Sequence, residues 1–457
     1  MTGLHRSAAS PPIHLVHLGL GNFFRAHQAW YTSKASDAGE WGIAAFTGRS
    51  SEGSRARVAT LRSQEGLYTL ITRAADGDHL EVVRSLARVH LADEHAAWLA
   101  YLANPQVHVV TTTVTEAGYL RDVNGGLDVN RPEVKTDIHA LRVDVTAAVD
   151  TAPAKLVAGL AGRRLAAAGP LTIVPCDNLP GNGAIVARVI DDLATLVDPD
   201  LARWMTDNVL CATTMADRIT PAPTSADVRA AEAATGVRDR AVVVTEPFTE
   251  WVISGEFAAG RPRWEDAGAT FTTNVAPFED RKLWMLNGAH SMLAYAGSIR
   301  GHLSVADAMR DATCRTWLDE WWDASSRHLS LPAADNVAYR AALIERFANT
   351  GLQHLLDQIA SDGSQKLPIR VLPVLRRERE AGRLPVGAVR PLAAWVCHLR
   401  GRGAKVTDSH AAELRQLASG PLTEAVGRVL KVLDPELAAD QSVVEAVLAQ
   451  ARALTQT

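Results

Sequence analysis

Cysteine is scarce in this sequence of 457 residues, and the signatures of metal centres are missing. The four cysteines are widely separated and form no CxxC pair, which excludes a disulfide framework and a cysteine-ligated zinc site. The HExxH signature is absent, and the fifteen histidines show no spacing typical of metal ligands. We therefore expect no metal in the functional site.

Long apolar runs and concentrations of positive charge are also lacking. No hydrophobic stretch approaches the roughly 20 residues that span a bilayer, and the polar segment Met1–Pro12 lacks the apolar core of a signal peptide. The formal net charge is −4, and lysine and arginine form no patch that could neutralise a phosphate backbone. These absences predict a cytoplasmic protein that binds neither membranes nor nucleic acid.

The sequence changes character near residue 277. Before it, short apolar runs alternate with helical or loop segments, which is typical of a parallel sheet buried on both faces. After it, apolar residues recur at helical spacing. The predicted class is therefore α/β, with one domain over 1–276 and a mainly α-helical domain over 277–457. The predicted strands are Ile13–Leu18, Trp41–Phe46, Val107–Thr113, Leu171–Val174 and Ala241–Thr245.

A glycine-rich loop follows the first predicted strand. The glycines of Gly19-Leu20-Gly21-Asn22-Phe23 let the main chain turn tightly and approach a pyrophosphate closely. The helix that follows the loop would present free N–H groups at its N-terminus. Phe24 stands where a third glycine is usual, and a plain strand-to-helix turn has the same pattern. The loop favours a Rossmann-type dinucleotide-binding domain, with the plain turn as the alternative.

The end of the second predicted strand bears on the choice of cofactor. An Asp or Glu at this place usually binds the adenosine ribose of NAD. Here the segment Thr47–Ser50 contains no acid, and Arg49 would suit the 2′-phosphate of NADP. The residues alone therefore lean towards NADP or towards the use of both cofactors.

Three polar residues recur on one predicted helix of the second domain. At 100° per residue, Asn287 and His290 are neighbours at i, i+3, and Lys282 lies about 80° from His290, two turns away. All three side chains can therefore point into one pocket. The alternative is a surface lysine, a capping asparagine and a core histidine.

Polar residues also follow predicted strands of the first domain. Asn178 follows the strand at Leu171–Val174. Thr113 is the last residue of the preceding strand and Glu116 follows it, and Asp217 precedes a turn with proline. Ligands of open α/β sheets bind beyond the carboxyl ends of the strands. We expect these residues at the site, although each alone could be a turn or capping residue.

Together these segments resemble the polyol-specific long-chain dehydrogenases, the mannitol dehydrogenase family. The resemblance runs in the family's order from near residue 13 to near residue 375, and the combination is more specific than any single segment. The matching segments are His17–Phe23 with Arg25–Gln28, Thr113–Glu116, Cys176–Pro180, Asp217–Pro221, Glu246–Phe248, Lys282 with Asn287 and His290, and Asp362–Pro368.

The resemblance implies a Rossmann-type first domain, a helical second domain and an active site between them. It implies that Lys282 is the general base and acid, that Asn178 and Asn287 stabilise the alkoxide, and that Asp217 and His290 bind and orient the substrate. Lysine normally titrates near 10.4, so a base near neutrality must be partly desolvated or lie near positive charge.

The resemblance extends to the cofactor and the proton path. Glu279 resembles the family's acid near the proton exit, and Arg49, Thr113 and Glu116 would line the cofactor site with the glycine loop. The family is zinc-independent. An arginine after the second strand, like Arg49 here, also occurs in relatives that use NAD, so NAD is expected, with NADP as the alternative.

Three functions remain as alternatives at this point. The favoured one is an NAD-dependent dehydrogenase that interconverts a sugar alcohol and a ketose, such as mannitol and fructose, and acts as a monomer or small homo-oligomer. The second is a hexuronate reductase acting on fructuronate and mannonate, whose substrate carboxylate would need a cation such as Lys366 or Arg370. The third is a non-catalytic dinucleotide-binding sensor, which the complete set of polar residues disfavours.

Overall fold

The computed structural model describes residues 3–351 and 354–456, so Met1 and Thr2 of the polar N-terminal segment lie outside the described residues. Contacts divide the chain into two compact units, Met1–Ala276 and Pro277–Thr457. Among the described helices, none combines the length and the hydrophobicity that crossing a membrane requires.

The first unit is built on a six-stranded parallel sheet with the order β5-β2-β1-β6-β7-β8. This is the doubly wound order in which the direction of winding reverses between β1 and β6, and it confirms the predicted Rossmann-type fold. The strands of the sheet are β1 (Ile13–Leu18), β2 (Gly42–Phe46), β5 (Leu86–His90), β6 (Val109–Thr112), β7 (Leu171–Pro175) and β8 (Val209–Cys211).

Two small sheets complete the strands of this unit. One has the order β10-β3-β4 and the other the order β12-β11-β9. The prediction that the run at Ala241–Thr245 joins the main sheet was wrong, because β10 pairs with β3; a buried apolar run predicts a strand but not its partner. The bounds are β3 (Tyr68–Ala74), β4 (Gly77–Val83), β9 (Thr213–Asp217), β10 (Val243–Thr245), β11 (Glu250–Ser254) and β12 (Thr270–Thr272).

Helices cover both faces of the parallel sheet. Alternate residues of β1 enter different cores, since Val16 packs with one hydrophobic cluster and Leu15 with the other. The helices are α1 (Asn22–Ala26), α2 (Gln28–Lys34), α3 (Glu52–Ser63), α4 (His95–Leu102), α5 (Pro132–Val143), α6 (Ala152–Leu165), α7 (Asn182–Val197), α8 (Pro199–Asn208) and α9 (Ser225–Thr235).

The second unit is helical, as predicted, and within its described residues strand pairing is limited to one bridge between Ser304 and Leu355. Its central helix, α18, is buried at every residue from Gly387 to Leu399. The helices are α10 (Ala276–Arg281), α11 (Ala289–Met292), α12 (Val305–Arg310), α13 (Ala312–Ser326), α14 (Ala333–Ala348), α15 (Leu356–Ile359), α16 (Gly363–Arg370), α17 (Leu372–Glu380), α18 (Val386–Leu399), α19 (Ala411–Leu417), α20 (Leu422–Leu433), α21 (Pro435–Ala439) and α22 (Gln441–Gln456), with π-helical segments at Lys282–Gly288 and Leu293–Gly297.

Candidate active site

The glycine loop joins the ends of three strands of the main sheet. The N–H groups of Gly19 and Leu20 both donate to the carbonyl of Phe46 at the end of β2, at 2.9 and 2.8 Å. Thr113, after β6, donates its hydroxyl to the carbonyl of Gly19 at 2.8 Å. Gly19 has a φ of 121°, and a Cβ there would overlap with the main chain of Thr113. Glycine is therefore required at this position by both conformation and space.

Phe24 has a packing role that explains the missing third glycine. Its ring stacks on that of His17, with centroids 3.5 Å apart, and both side chains are fully buried. The imidazole is held by the hydroxyls of Thr111 at 2.8 Å and Thr113 at 3.2 Å. Burial lowers the pKa of His17 to about 3, so the ring is neutral. An aromatic pair here takes the place of a close helix-to-strand contact.

The loop continues into a short helix whose side chains are held locally. Gly21 begins it, and Asn22 accepts a hydrogen bond from the buried guanidinium of Arg25 at 2.7 Å. Arg25 also donates to the carbonyl of Ala241 at 2.5 Å. Phe23 is half-buried and stacks on His27, with ring centroids 5.1 Å apart. The loop is thus fixed by its own side chains.

A cavity of about 410 Å³ opens at the carboxyl ends of β1, β2 and β6. It lies at the place where the sheet reverses its winding, which is where open α/β sheets bind ligands. Arg49 and Thr113 are on its wall, while Glu116 is exposed and is not among its lining residues. Arg131 and Lys155 also line it and were not singled out from the sequence. A lysine in the apolar, alanine-rich stretch of α6 was the signal that could have found Lys155.

Asp177 organises the loop that presents Asn178. The exposed Asn178 follows directly after the buried carboxyl of Asp177, beyond the end of β7. That carboxyl accepts hydrogen bonds from the hydroxyl of Tyr119 and the N–H of Val114, and from the hydroxyl of Thr112 at 3.2 Å. Desolvation raises the pKa of Asp177 to about 7, against the hydrogen bonds that favour its ionised form. The loops after β6 and β7 are therefore joined through one side chain.

Asp217 is the buried last residue of β9, a strand outside the main sheet. The turn after it is held by Glu246, whose carboxylate accepts from the N–H of Ile219 at 2.6 Å. The buried guanidinium of Arg218 donates to the carbonyls of Ala26 and Glu246 and lies 4.7 Å from the ring centre of Trp30. The predicted turn is thus an ordered element.

The helix that carries Lys282 departs from the predicted regular α-helix. Lys282–Gly288 is a π-helical segment, and His290 lies in the short α-helical turn that follows. Five residues span 500° in an α-helix, which would place Lys282 and Asn287 about 140° apart. With i→i+5 pairing and about 4.4 residues per turn, the same separation leaves them roughly 50° apart. The π winding therefore brings the lysine and the amide towards one face of the helix. The regular α-helical period assumed from the sequence does not predict this.

His290 is buried in an aromatic and cationic environment within the second unit. Its ring stacks on Phe347 with centroids 4.7 Å apart and meets the edge of His354 at 4.6 Å. Burial, followed by His354, Arg346 and Arg370, lowers the pKa of His290 well below its usual value. Its Nε2 atom makes no hydrogen bond within the described residues. A neutral imidazole with an unpaired buried nitrogen is suited to a hydrogen bond with a ligand hydroxyl.

The remaining predicted residues of the second unit lie on neighbouring helices. Glu279 is half-buried on α10, three residues before Lys282. Lys366, on α16, donates to the carbonyl of Ile359 at 3.2 Å and to the hydroxyl of Ser361 at 3.1 Å. Arg370 ends the same helix, with its guanidinium 3.4 Å from the hydroxyl of Ser291. The charge of Arg370 is one of the causes that lower the pKa of His290, and Lys366 is not among these causes.

The described part of the chain contains one group of potential metal ligands that the sequence spacing does not reveal. It consists of His302, Asp311 and Cys314 in the second unit. The carboxylate of Asp311 is already paired with Arg300 at 2.6 Å and with the imidazole of His302 at 2.8 Å. These partners lower its pKa below the usual range, and burial raises that of the Cys314 thiol to about 12. The group is accounted for as an ion-pair cluster at the start of α13.

Comparison with known proteins extends over both units. Residues 13–266 match the family model of the mannitol dehydrogenase Rossmann domain, and residues 274–455 that of the mannitol dehydrogenase C-terminal domain. D-arabinitol 4-dehydrogenase from Ralstonia nicotianae is 39% identical over 86% of this chain and 84% of its own length. D-mannonate oxidoreductase from Escherichia coli is 36% identical over 85% of this chain and 80% of its own.

Among solved structures, the chain is similar to mannitol 2-dehydrogenase from Pseudomonas fluorescens in a ternary complex with NAD and D-mannitol. The TM-score is 0.82 with 29% identity, and the match covers 99% of this chain and 94% of that one. Both family domains are present in order, and they contain the glycine loop and the lysine helix described above. The chain therefore belongs to the mannitol dehydrogenase family of oxidoreductases.

Proposed function

We propose that this protein is an NAD-dependent, metal-independent dehydrogenase that interconverts a sugar alcohol and its ketose. The observation that carries the proposal is the π-wound segment that turns Lys282 and Asn287 to one face, close in sequence to the neutral His290 with its unpaired Nε2. This arrangement supplies a proton acceptor, an amide donor and a hydroxyl-binding group in nine residues. Family membership supports the same reaction class.

The first unit fits a dinucleotide. The cavity at the carboxyl ends of β1, β2 and β6 has the position that the fold uses for this ligand. A Cβ at Gly21 would meet little besides the carbonyl of Gly19 at 3.5 Å, so the main chain there is open to a pyrophosphate. Arg49 would lie towards the adenosine ribose, with Thr113 and Glu116 on the loop after β6. Bound NAD would supply the hydride acceptor, and the known complex of the Pseudomonas relative supports NAD over NADP.

The chain's own residues would transfer the proton and stabilise the negative charge that develops on the substrate oxygen. Lys282 takes the hydroxyl proton in oxidation and returns it in reduction. The amides of Asn178 and Asn287 donate hydrogen bonds to the oxygen as it becomes negative, which lowers the barrier. Asp217 and His290 orient the substrate hydroxyls, and Lys366 contributes to binding. Glu279, one turn before the lysine, passes the proton towards solvent.

Mannitol oxidised at C2 is the proposed substrate, because a structural relative binds D-mannitol and a polyol needs only hydrogen-bonding groups. A second candidate, a hexuronate such as mannonate, is favoured by one observation. The guanidinium of Arg370 lies beside Ser291 and His290, where it could pair with a carboxylate, and a relative named D-mannonate oxidoreductase is 36% identical. Specificity constants for mannitol, arabinitol, sorbitol and mannonate, each with NAD and NADP, decide between them.

Lys282→Ala tests the proposal most directly. It should lower kcat by roughly 10²–10⁴-fold while binding of NADH survives, since the glycine loop is in the other unit. The wild-type rate of oxidation should rise with pH as the ammonium loses its proton, and the rate of reduction should fall. Lys431→Ala, on the exposed face of α20, is the matched control. Near-normal turnover and an unchanged pH profile in Lys282→Ala would refute the lysine as base, and no turnover of any substrate by the wild type would favour a sensor.

A further inference from the structure

We propose that Trp321 and Trp322 are positioning residues for the reaction, because they hold the lysine helix in its π winding. Each indole N–H donates to a main-chain carbonyl inside the π segment: Trp321 to Trp284 at 2.8 Å and Trp322 to Met285 at 2.9 Å. Both tryptophans are fully buried on α13. The inference rests on the proposed function, since it gives the winding a purpose only if Lys282 and Asn287 act together.

The two bonds fall on consecutive carbonyls in the middle of the segment. A π-helix pairs each carbonyl with the N–H five residues on, a geometry that is rare and needs support from its surroundings. A carbonyl oxygen has two lone pairs, so an indole can donate to it while the helical bond is kept. Reversion to α winding would move these carbonyls away from the indoles. The indole bonds therefore favour the π form over the α form of the same residues.

Two glycines fix α13 in the position from which the indoles reach the segment. A Cβ at Gly288 would lie 2.9 Å from Cε2 of Trp321 and closer still to Cζ2, so the indole edge rests directly on the helix. On the other side of α13, a Cβ at Gly387 would lie 2.8 Å from the main-chain nitrogen of Trp321 and closer to the carbonyl of Glu320. The tryptophan is thus held between two helices at van der Waals distance.

Trp322 also acts on His290 through one intervening ring. Its indole is 6.1 Å from the ring centre of Phe347, which stacks on His290 at 4.7 Å. The tryptophan pair therefore contacts the main chain between Lys282 and Asn287 and, through Phe347, the histidine beyond them. Loss of the π winding would carry Asn287 roughly 90° around the helix relative to Lys282, out of reach of the same oxygen.

The test compares Trp321→Phe and Trp322→Phe with Trp317→Phe. Trp317 lies on the same helix, and its ring contacts Arg300 and Arg390, neither of which belongs to the segment Lys282–Gly288. Each of the first two variants should lower kcat by about 10-fold or more, since small displacements of catalytic groups have such effects, while KM for NAD is unchanged. Amide hydrogen exchange in the full-length protein should become faster over residues 284–292 in these variants and stay unchanged in Trp317→Phe.

A variant that keeps the bicyclic shape of tryptophan distinguishes loss of the hydrogen bond from loss of folding. Replacement of Trp321 by 3-benzothienylalanine exchanges the N–H for sulfur and should reproduce the faster exchange and the fall in kcat. Wild-type exchange rates and wild-type kcat in this variant and in Trp322→Phe would overturn the proposal. Failure of the lysine as base is a separate result, because the exchange measurement reports on the winding without turnover.

Discussion

Replacement of Asp177 by asparagine should change how the stability of the protein depends on pH. The carboxyl is 6% exposed, and desolvation raises its pKa from 3.8 to about 7 even though Tyr119, Val114 and Thr112 donate to it. Folding therefore raises this pKa above its unfolded value. The stabilising contribution is fully present below about pH 4 and is lost as the pH rises through about 7, which is opposite to the behaviour of a salt-bridged carboxylate.

The size of the effect follows from the gap between the two pKa values. A gap from 3.8 to about 7 corresponds to about 4 kcal/mol in the free energy of unfolding, of which about 3 kcal/mol falls between pH 5 and pH 8. Asparagine has nearly the same shape and does not titrate. The difference in unfolding free energy, variant minus wild type, should therefore rise by about 3 kcal/mol over that range, whatever its value at pH 5.

Urea unfolding of the full-length protein at pH 5, 6, 7 and 8 and constant ionic strength measures this difference. Asp207→Asn, which removes an exposed carboxylate of α8, should follow the wild type at every pH. If the difference between Asp177→Asn and wild type stays constant from pH 5 to pH 8, Asp177 does not titrate in this range. The argument that desolvation outweighs its hydrogen bonds would then be refuted.

Four further outcomes are expected. Gly19→Ala should weaken NADH binding by roughly 10-fold or more because its Cβ would enter the main chain of Thr113, whereas Gly39→Ala, with open space around it, should not; equal affinities would contradict the loop geometry. Arg49→Ala should alter the ratio of KM values for NAD and NADP, and an unchanged ratio would remove Arg49 from the cofactor site. His290→Asn should lower kcat/KM but keep the pH midpoint of kcat, because the lowered pKa keeps this histidine neutral; a moved midpoint would show that it titrates during turnover. Prolonged chelation should leave turnover unchanged, and loss of activity restored by zinc would contradict metal independence.

The fold was predictable from local patterns because each signal was confined to a few neighbouring residues. The glycine loop directly after β1 and the continuous apolar runs predict a parallel sheet wound around a dinucleotide site. The sheet assigned to β10 was wrong because the buried apolar run at Ala241–Thr245 contains no information about its partner strand. Likewise, the role of Phe24 depends on His17, and only the structure shows that the two rings stack.

The chemistry at the lysine helix was predictable in composition but not in geometry. Lys282, Asn287 and His290 stood out by residue type, and the regular α period that was assumed for them is wrong for the first two. The cause lies about 37 residues further along the chain, where Trp321 donates to Trp284. Donors from another helix, rather than the helix's own sequence, stabilise the rarer π winding over the α winding of the same residues. Sequence periodicity could not have revealed this.

The glycine loop and the lysine helix are positioned by the same physical device. In the first unit, Thr113 lies against Gly19 and donates its hydroxyl to the carbonyl of that glycine. In the second unit, Trp321 lies against Gly288 and donates its indole N–H to the carbonyl of Trp284, one turn away. A side chain from another element thus fixes the main chain, and a glycine provides the space. Since hydrogen bonds to main chain constrain position more tightly than apolar contact alone, this arrangement suits loops and helices whose exact placement determines reactivity.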